Sequence, residues 1–383
     1  MSAPSAFTLG AIAAATAPAF MTIGFIVWEN NWYGSAFSLN LFKCNLASVG
    51  FVVASLAARK WGDPPFSGPG AEIQGDDILG LCLSSFIGIL IGDFLWLEGL
   101  RLLGARRVIV VDTVKPALAA LMGWALLGEE LRITALAGVA LTACGVLVVG
   151  MERKEKSEGA ASGSLREKRT DSAASLRRGY VASAANACLD TYGSVLTKQH
   201  GMNMTVWEVS LVRFGFAGLA MLALSMVMAA RARILDERKV AAVEVFPEMQ
   251  TEVHAVPVAD GERDPLLGCA DGPEDGRHVE GGGCSLPPPP WYALPSNMTR
   301  RSWTHMVAGV VCVTFLTPAL SNYALFRTPL ALTLTLTSVG PMYALPLSWG
   351  LQGDRPTWRA CLGAAVAMAG TVVLGLFGKV DSE

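Results

Sequence analysis

The chain has 383 residues, 52% of them hydrophobic and 16% charged, with a mean hydropathy of +0.43 and a formal net charge of −2. Soluble globular chains carry roughly 25% charged residues, so the composition points to lipid and excludes an ordinary water-soluble domain. Eight cysteines and four histidines are scattered without ligand spacing, and no nucleophile–base pair or phosphate loop stands out. No enzyme, metal site, cofactor or nucleic-acid partner is therefore expected.

A helix needs about 20 mostly apolar residues to cross a hydrocarbon core about 30 Å thick, and about ten such stretches follow one another. They lie near 6–28, 36–58, 77–99, 105–127, 132–150, 178–197, 206–230, 304–326, 329–350 and 357–377. The first is read as a span and not a signal peptide, because Met1 to Leu9 contains no basic residue. Trp28, Trp32, Trp61, Trp303 and Trp358 fall at expected span ends, as an interfacial aromatic belt would place them. The fold class expected is all-α, a polytopic membrane protein.

The chain also repeats itself. Residues 116–145, PALAALMGWALLGEELRITALAGVALTACG, align without gaps on 341–370, PMYALPLSWGLQGDRPTWRACLGAAVAMAG. Pro116 meets Pro341, Gly128 and Glu129 meet Gly353 and Asp354, and Gly138 and Gly145 meet Gly363 and Gly370, each offset by 225. An offset of 170 pairs LFKCNLASVGF with LVRFGFAGLAM and puts Lys43 opposite Arg213. Five spans per half is an odd number, so the halves enter the membrane in opposite senses, the inverted-repeat design of many secondary transporters. The expected division is a first repeat over 1–150, a polar linker over 151–178, a second repeat over 179–377 interrupted by a polar insert over 231–302, and a tail over 378–383. Linker and insert read as unstructured, being too polar to bury; Cys269 and Cys284 in the insert could pair in an oxidising lumen.

The run GWALLGEEL in the fourth span, followed by a Gly-rich fifth, resembles the drug/metabolite transporter superfamily, specifically its EamA-type two-repeat members. Lys43 and Arg213-Phe214 are similar to that family's basic position early in the second span of a repeat. Two departures stand out: Gly353-Asp354 replaces Gly-Glu, and Lys43 replaces the usual Arg. The resemblance implies a ten-helix carrier with a central cavity and both termini cytosolic. Members move amino acids, nucleotide sugars, sugar phosphates and organic cations.

Charges within spans cost about 2.5–3.5 kcal/mol each at a helix centre and normally face a cavity or a partner. Those here are Asp93 and Glu98 in the third span, Asp112 and Lys115 in the fourth, Asp190 in the sixth, and Glu208 and Arg213 in the seventh. Of these, Asp93, Asp112, Lys115, Asp190 and Arg213, together with Lys43, Asn322 and Tyr323, are the candidate substrate or ion pathway. Asp112 and Lys115, three residues apart, form a local pair or contact substrate. Lys115 precedes Pro116, whose missing N–H permits a kink, and Pro116 and Pro341 are the expected helix hinges. Asp93 and Asp190 either relay a proton, bind a cation, or satisfy Lys43 and Arg213. Glu129 and Asp354 read as helix terminators beside Gly128 and Gly353, a repeat signature. Asn322 and Tyr323 offer neutral hydrogen-bonding groups to a substrate, whereas Thr333, Thr335 and Ser338 more often bond their own helix.

The address signals disagree. The basic residues of the central linker call for a cytosolic linker and hence exoplasmic termini, opposite to the resemblance. In the insert, ERDPLL at 262–267 resembles a cytosolic acidic dileucine sorting signal, while Asn297-Met298-Thr299 is a sequon that needs a lumen. The expectation is an integral protein of the plasma membrane or an endolysosomal or vacuolar membrane. It is a secondary carrier of a small polar metabolite with proton coupling and a homodimer left open. A nucleotide-sugar or organic-phosphate exchanger is the alternative, and a non-transporting scaffold or receptor the alternative of another class.

Overall fold

The computed structural model describes residues 5–29, 32, 34–60, 75–103, 108, 111–130, 132–151, 173–245, 290–295, 298–340, 342–343, 346–347 and 357–377. Its described residues form ten helical segments, and no strand occurs among them. The segments are α1 Ala6–Glu29, α2 Ala36–Lys60, α3 Gly75–Ser85 continued through Phe86–Gly92 and Asp93–Leu103, α4 Lys115–Leu127 and α5 Ile133–Met151. The second half supplies α6 Ala173–Gly201, α7 Val206–Val245, α8 Arg300–Val310 continued through Val311–Leu316 and Thr317–Leu325, α9 Leu330–Thr337 and α10 Trp358–Phe377. Helices α1, α2, α3, α7 and α8 are each long and apolar enough to cross a membrane, and α4, α5 and α10 are shorter apolar helices. The protein is an all-α, polytopic membrane protein.

Several boundaries differ from the sequence reading for local reasons. The fourth span, expected from 105, is interrupted by a turn at Thr113 and Val114, with Val108, Val111 and Asp112 helical before it and the helix Lys115–Leu127 after it. Pro116 lies in the first turn of the helix that follows this interruption, where its missing N–H leaves no partner unsatisfied. The ninth span is continuous only to Thr337; Pro341, Gly353 and Asp354 lie outside the described residues. Residues 173–178 of the expected linker open α6, and α7 runs on to Val245, so residues 231–245 of the expected unstructured insert are helical. Three Ala and three Arg, with Leu235, Glu237, Lys239 and Glu244, favour helix. Cys269, Cys284, Asn297 and the ERDPLL run lie outside the described residues.

The two halves interlock. α1 of the first half packs chiefly on α8 of the second, and α6 of the second on α3 of the first. α5 and α10 cross closely through glycines. A Cβ on Gly138 would come within 3.1 Å of the Gly370 carbonyl, and one on Gly145 would lie 2.3 Å from the Ala367 amide and 2.6 Å from the Gly363 carbonyl. Ascending numbers on one helix thus meet descending numbers on the other, and each glycine meets the repeat equivalent of its own helix's other glycine. Antiparallel, mutually exchanged contacts of this kind are what a two-fold relating inverted halves requires. α2 and α7 behave alike: Asn45 Nδ2 donates to the Gly218 carbonyl at 3.2 Å, and Ser48, its own helix neighbour, lies beside Gly215.

A further correspondence concerns the backbone itself. The ladder widens to a π-helix over Phe86–Gly92 in α3 and over Val311–Leu316 in α8. Phe86 and Val311 are again 225 apart, so the two halves carry the same irregularity at the same place. Each π turn also ends on a contact with the other half: Asn186 Nδ2 of α6 donates to the Gly92 carbonyl at 2.9 Å, and Thr317 Oγ1 of α8 donates to the Ala17 carbonyl of α1 at 3.3 Å. π turns inside α-helices concentrate at functional sites.

Aromatic residues close the end of the bundle where α2 begins. Trp32 stacks on Phe42 at 6.0 Å and meets Trp303 edge-on at 6.4 Å, while Phe37 packs on Trp291. Trp32 is only 4% exposed, so it is a core residue of this cluster and not part of an interfacial belt. Trp358, at 71% exposed, matches the belt expectation.

Candidate functional site

Charged side chains from five helices, together with that of Asp112 in the helical residues just before the turn that precedes α4, converge inside the bundle. Lys43 Nζ of α2 bonds Asp93 Oδ2 of α3 at 2.7 Å. Lys115 at the start of α4 is shared by two carboxylates, Asp112 at 3.2 Å and Asp190 of α6 at 3.1 Å. Arg213 of α7 lies in the fields of both Asp190 and Asp93 and so joins the two groups. All six of the charged residues expected in the pathway, Lys43, Asp93, Asp112, Lys115, Asp190 and Arg213, thus belong to one network. Three bases face three carboxylates, giving a formal balance of zero, as a site surrounded by hydrocarbon requires.

The members differ in how fully they are satisfied. Asp93 and Lys43 hold each other closely. Asp112 is half-buried and takes a hydrogen bond from the Trp96 side chain. Arg213 is the base that stands apart: among the described residues its guanidinium makes no side-chain hydrogen bond or ion pair, and its Nε, like Oδ1 of Asp112, is buried without a hydrogen-bond partner. The backbone around it is held firmly, with Ser85 Oγ donating to the Arg213 carbonyl at 2.5 Å. Its guanidinium lies against Gly88 in the π turn of α3, where a Cβ would sit 3.5 Å from Nη2. A buried, unpaired guanidinium can give charge-assisted hydrogen bonds to a carboxylate or phosphate.

Other expected site residues have structural work. Asn322 Nδ2 donates to Ser210 Oγ at 3.1 Å, pinning α8 to α7, and the Tyr323 ring lies 3.9 Å under the Arg327 guanidinium. Neither touches the charge network through these contacts. Glu208, one of the intramembrane charges, closes a capping box at the start of α7: its Oε2 accepts from Thr205 N at 3.0 Å while Thr205 Oγ1 accepts from Glu208 N at 3.2 Å. Glu98 pairs with Arg178 at 3.6 Å at the opening of α6. Thr333, Thr335 and Ser338 each donate to their own helix.

Glu129 does more than end its helix. Gly128 takes the left-handed conformation, φ 65°, and Glu129 N returns to the Gly123 carbonyl at 3.0 Å, a glycine stop of the expected kind. The Glu129 side chain then crosses to the second half: Oε1 accepts from Lys198 Nζ of α6 at 2.5 Å and Oε2 accepts from Leu330 N, the first amide of α9, at 2.7 Å. Lys198 also donates to the Thr328 carbonyl at 2.6 Å. This lock closes the end of the bundle that bears the start of α1. Beside it lies a cavity of about 550 Å³ lined by Phe7, Glu129, Glu130, Lys198, Arg327 and Thr328 among others. The cavity is distinct from the charge network, whose chemistry makes the network the better candidate for the substrate site. Sequence spacing gave no hint of the lock, because its partners come from three separate helices.

Comparison with known proteins agrees with this architecture. A solved structure described only as the crystal structure of a protein matches at 16% identity over 96% of this chain and 97% of its own, with a TM-score of 0.62, a likeness that shows the fold alone. No curated protein matches. The family model for EamA-like transporters matches residues 5–151 and 281–376, well over half of the sequence. That match takes in α1–α5 and α8–α10, while α6 and α7, which carry Asp190 and Arg213, lie beyond it. With the Gly-matched inverted halves beneath it, the chain belongs to the EamA-like transporter family of multi-pass membrane proteins.

Proposed function

We propose that the protein is a secondary carrier of a small polar metabolite, working by alternating access, with the Lys43–Asp93–Arg213–Asp190–Lys115–Asp112 network as its substrate site. The observation that carries this reading is Arg213: in a network whose other bases are paired, one guanidinium presents a buried, unpartnered donor. A buried donor without a partner is costly, and a ligand that comes and goes would supply one. Alternating access is supported by the exchanged contacts of the inverted halves and by the matched π turns in α3 and α8. These give each half the same packing and the same weak point in its helix ladder.

Arg213 favours solutes with a carboxylate or phosphate group, which also makes a nucleotide-sugar or organic-phosphate exchanger the second reading. The scaffold reading differs in where activity resides. Deleting residues 246–289 leaves transport intact in a carrier and abolishes the function of a scaffold. The ERDPLL run favours an endolysosomal or vacuolar membrane over the plasma membrane.

The test is uptake by proteoliposomes containing the purified protein, across labelled carboxylates, phosphates, amines and neutral sugars, with Arg213→Ala in parallel. The expected result is protein-dependent uptake of an anionic solute that is lost in Arg213→Ala. Folded wild-type protein that moves none of the four classes would overturn the proposal.

A further inference from the structure

Two buried polar atoms next to the charge network have no hydrogen-bond partner among the described residues and no part in the network itself: Oδ1 of Asn186 and Oγ of Ser183. Both residues belong to α6, 3% and 0% exposed. Ser183, Asn186 and Asp190 are spaced i, i+3, i+7 and so share one face of the helix. One turn, about 6 Å along the axis, separates Asn186 from Asp190, which Lys115 holds at 3.1 Å.

That face packs on α3. Asn186 Nδ2 donates to the Gly92 carbonyl at 2.9 Å, where the π turn ends, and a Cβ on Gly99 would run into Ser183 Oγ. Trp96, on the same face of α3 as those two glycines, donates to Asp112. The guanidinium of Arg213 lies against Gly88 in the same π turn. One stretch of α3 therefore touches Arg213 at Gly88 and, a turn further on, Asn186 at Gly92. The orientation of the Asn186 amide is fixed, because turning it over would set Oδ1 against the Gly92 carbonyl oxygen. Its oxygen is the free acceptor, and the hydroxyl of Ser183, able to give or to take, is free beside it.

Burying an acceptor and a hydroxyl unpaired costs stability, and an apolar side chain at either position would avoid that cost. Among the groups a small anion can carry, a hydroxyl answers both atoms: it donates to Asn186 Oδ1 and accepts from Ser183 Oγ. An ammonium has only donors to offer, and it would add a positive charge beside Lys115. A methylene answers neither atom.

We infer that Asn186 and Ser183 are specificity-determining residues of the site, and that its solute is an anion bearing a hydroxyl several bonds from its carboxylate or phosphate. The inference rests on the proposed carrier function and on Arg213 as the anchor of the anionic group. Arg213 takes that group at the level of Gly88, and Asn186 and Ser183 take the hydroxyl about one turn away. Both residues lie outside the stretches that the family model matches, so the assignment is not carried over from that match.

The experiment measures uptake by the full-length protein in proteoliposomes for two matched pairs of solutes, malate against succinate and glycerol 3-phosphate against propyl phosphate. The members of a pair share their anionic group and differ in hydroxyls. Wild-type protein is expected to prefer the hydroxylated member of at least one pair by about tenfold or more in kcat/KM, since the other member leaves both protein atoms unpaired. Ser183→Ala breaks no side-chain hydrogen bond among the described residues. That variant and Asn186→Ala should each bring the ratio to within about twofold of one by slowing the hydroxylated member alone. The ratio is read within one preparation, so the amount of folded protein cancels. Wild-type protein that takes both members of each pair alike overturns the inference and leaves the carrier reading standing; a resident water would then pair the two atoms. A wild-type ratio kept in either folded variant overturns the assignment to these residues. Uptake of none of the four solutes overturns the anion-carrier reading on which the inference rests.

Discussion

Helices α3 and α8 occupy equivalent places in the two halves and carry a π turn at the same repeat position, yet the residues beyond that turn differ in kind. At the common offset of 225, Asp93 is matched by Pro318 and Glu98 by Tyr323; one helix further on, Asp112 is matched by Thr337 and Lys115 by Gly340. Only the basic pair is kept in both halves, Lys43 against Arg213, and even there Lys43 is tied to Asp93 while Arg213 is unpaired. The features that set how the helices pack, which are the crossing glycines, the π turns and the exchanged contacts, are symmetric. The charges that would meet a solute are not. A carrier needs its two end states similar in packing energy, which symmetric contacts supply. Recognition of one solute needs no symmetry, and the charges lie chiefly on helices of the first half plus α6 and α7.

The comparison can be broken at several points. The largest effect is expected from Lys115→Ala, which leaves Asp112 and Asp190 facing each other without their cation. Removing one partner of a buried ion pair costs about 3–5 kcal/mol, and the partial exposure of Asp190 puts this case near the lower end. A fall in the melting temperature of the detergent-solubilised protein, partly restored by adding Asp112→Asn, would be the signature. Next comes the symmetric crossing. Gly145→Val and Gly370→Val should each destabilise by about 1–3 kcal/mol or more, since overpacking has no room to relax. A new Cβ would run into the Ala367 backbone N at Gly145, and into Thr142 Oγ1 and the Thr142 backbone N at Gly370. Equal losses in the two variants, read by thermal unfolding, support a true two-fold; a loss confined to one would break it.

How much of this could be read from the chain alone depends on what each feature leaves in the sequence. The crossing glycines were legible, because a close approach of two helices demands small residues and the repeat shows them twice. The charge network was legible as a set of residues, since ions in apolar spans have few other uses, but not as pairs, because contacts such as Lys43–Asp93 join separate helices. The π turns were hidden: FIGILIG and VCVTFL share little beyond being apolar. The Glu129–Lys198 lock was hidden for the same reason as the pairs. Two further features do leave a local signal in the sequence. Thr205 followed three residues later by Glu208 is a capping-box spacing, and the Ala- and Arg-rich stretch after residue 230 is good helix sequence despite its polarity.

Smaller effects sharpen the contrast between site and scaffold. Arg213→Ala should cost transport about ten- to a hundredfold, as loss of a charge-assisted hydrogen bond worth about 1.5–3 kcal/mol implies. Among the described residues it breaks no side-chain hydrogen bond or ion pair, and it leaves the network one positive charge short, so the fall in thermal stability should be real but smaller than for Lys115→Ala. Glu129→Gln keeps an acceptor for Leu330 N but discards the ion pair with Lys198, and should lower stability by about 1 kcal/mol. The least effect belongs to Gly215→Ala, where the nearest neighbours of a Cβ are 3.9 and 4.0 Å away. The gain in helix propensity there is about 0.5–1 kcal/mol, so the melting temperature should hold or rise slightly.

The central claim, that the halves rock about the charge network, is tested most directly by distances between spin labels on the protein in nanodiscs, with native cysteines replaced. One label pair at Glu130 and Met202 would report the end closed by the Glu129–Lys198 lock, and another at Val114 and Arg301 the opposite end; all four positions are exposed. The account predicts reciprocal change when the solute identified by uptake is added, one pair lengthening as the other shortens. Distances that stay fixed at both ends, or that lengthen together, would contradict it.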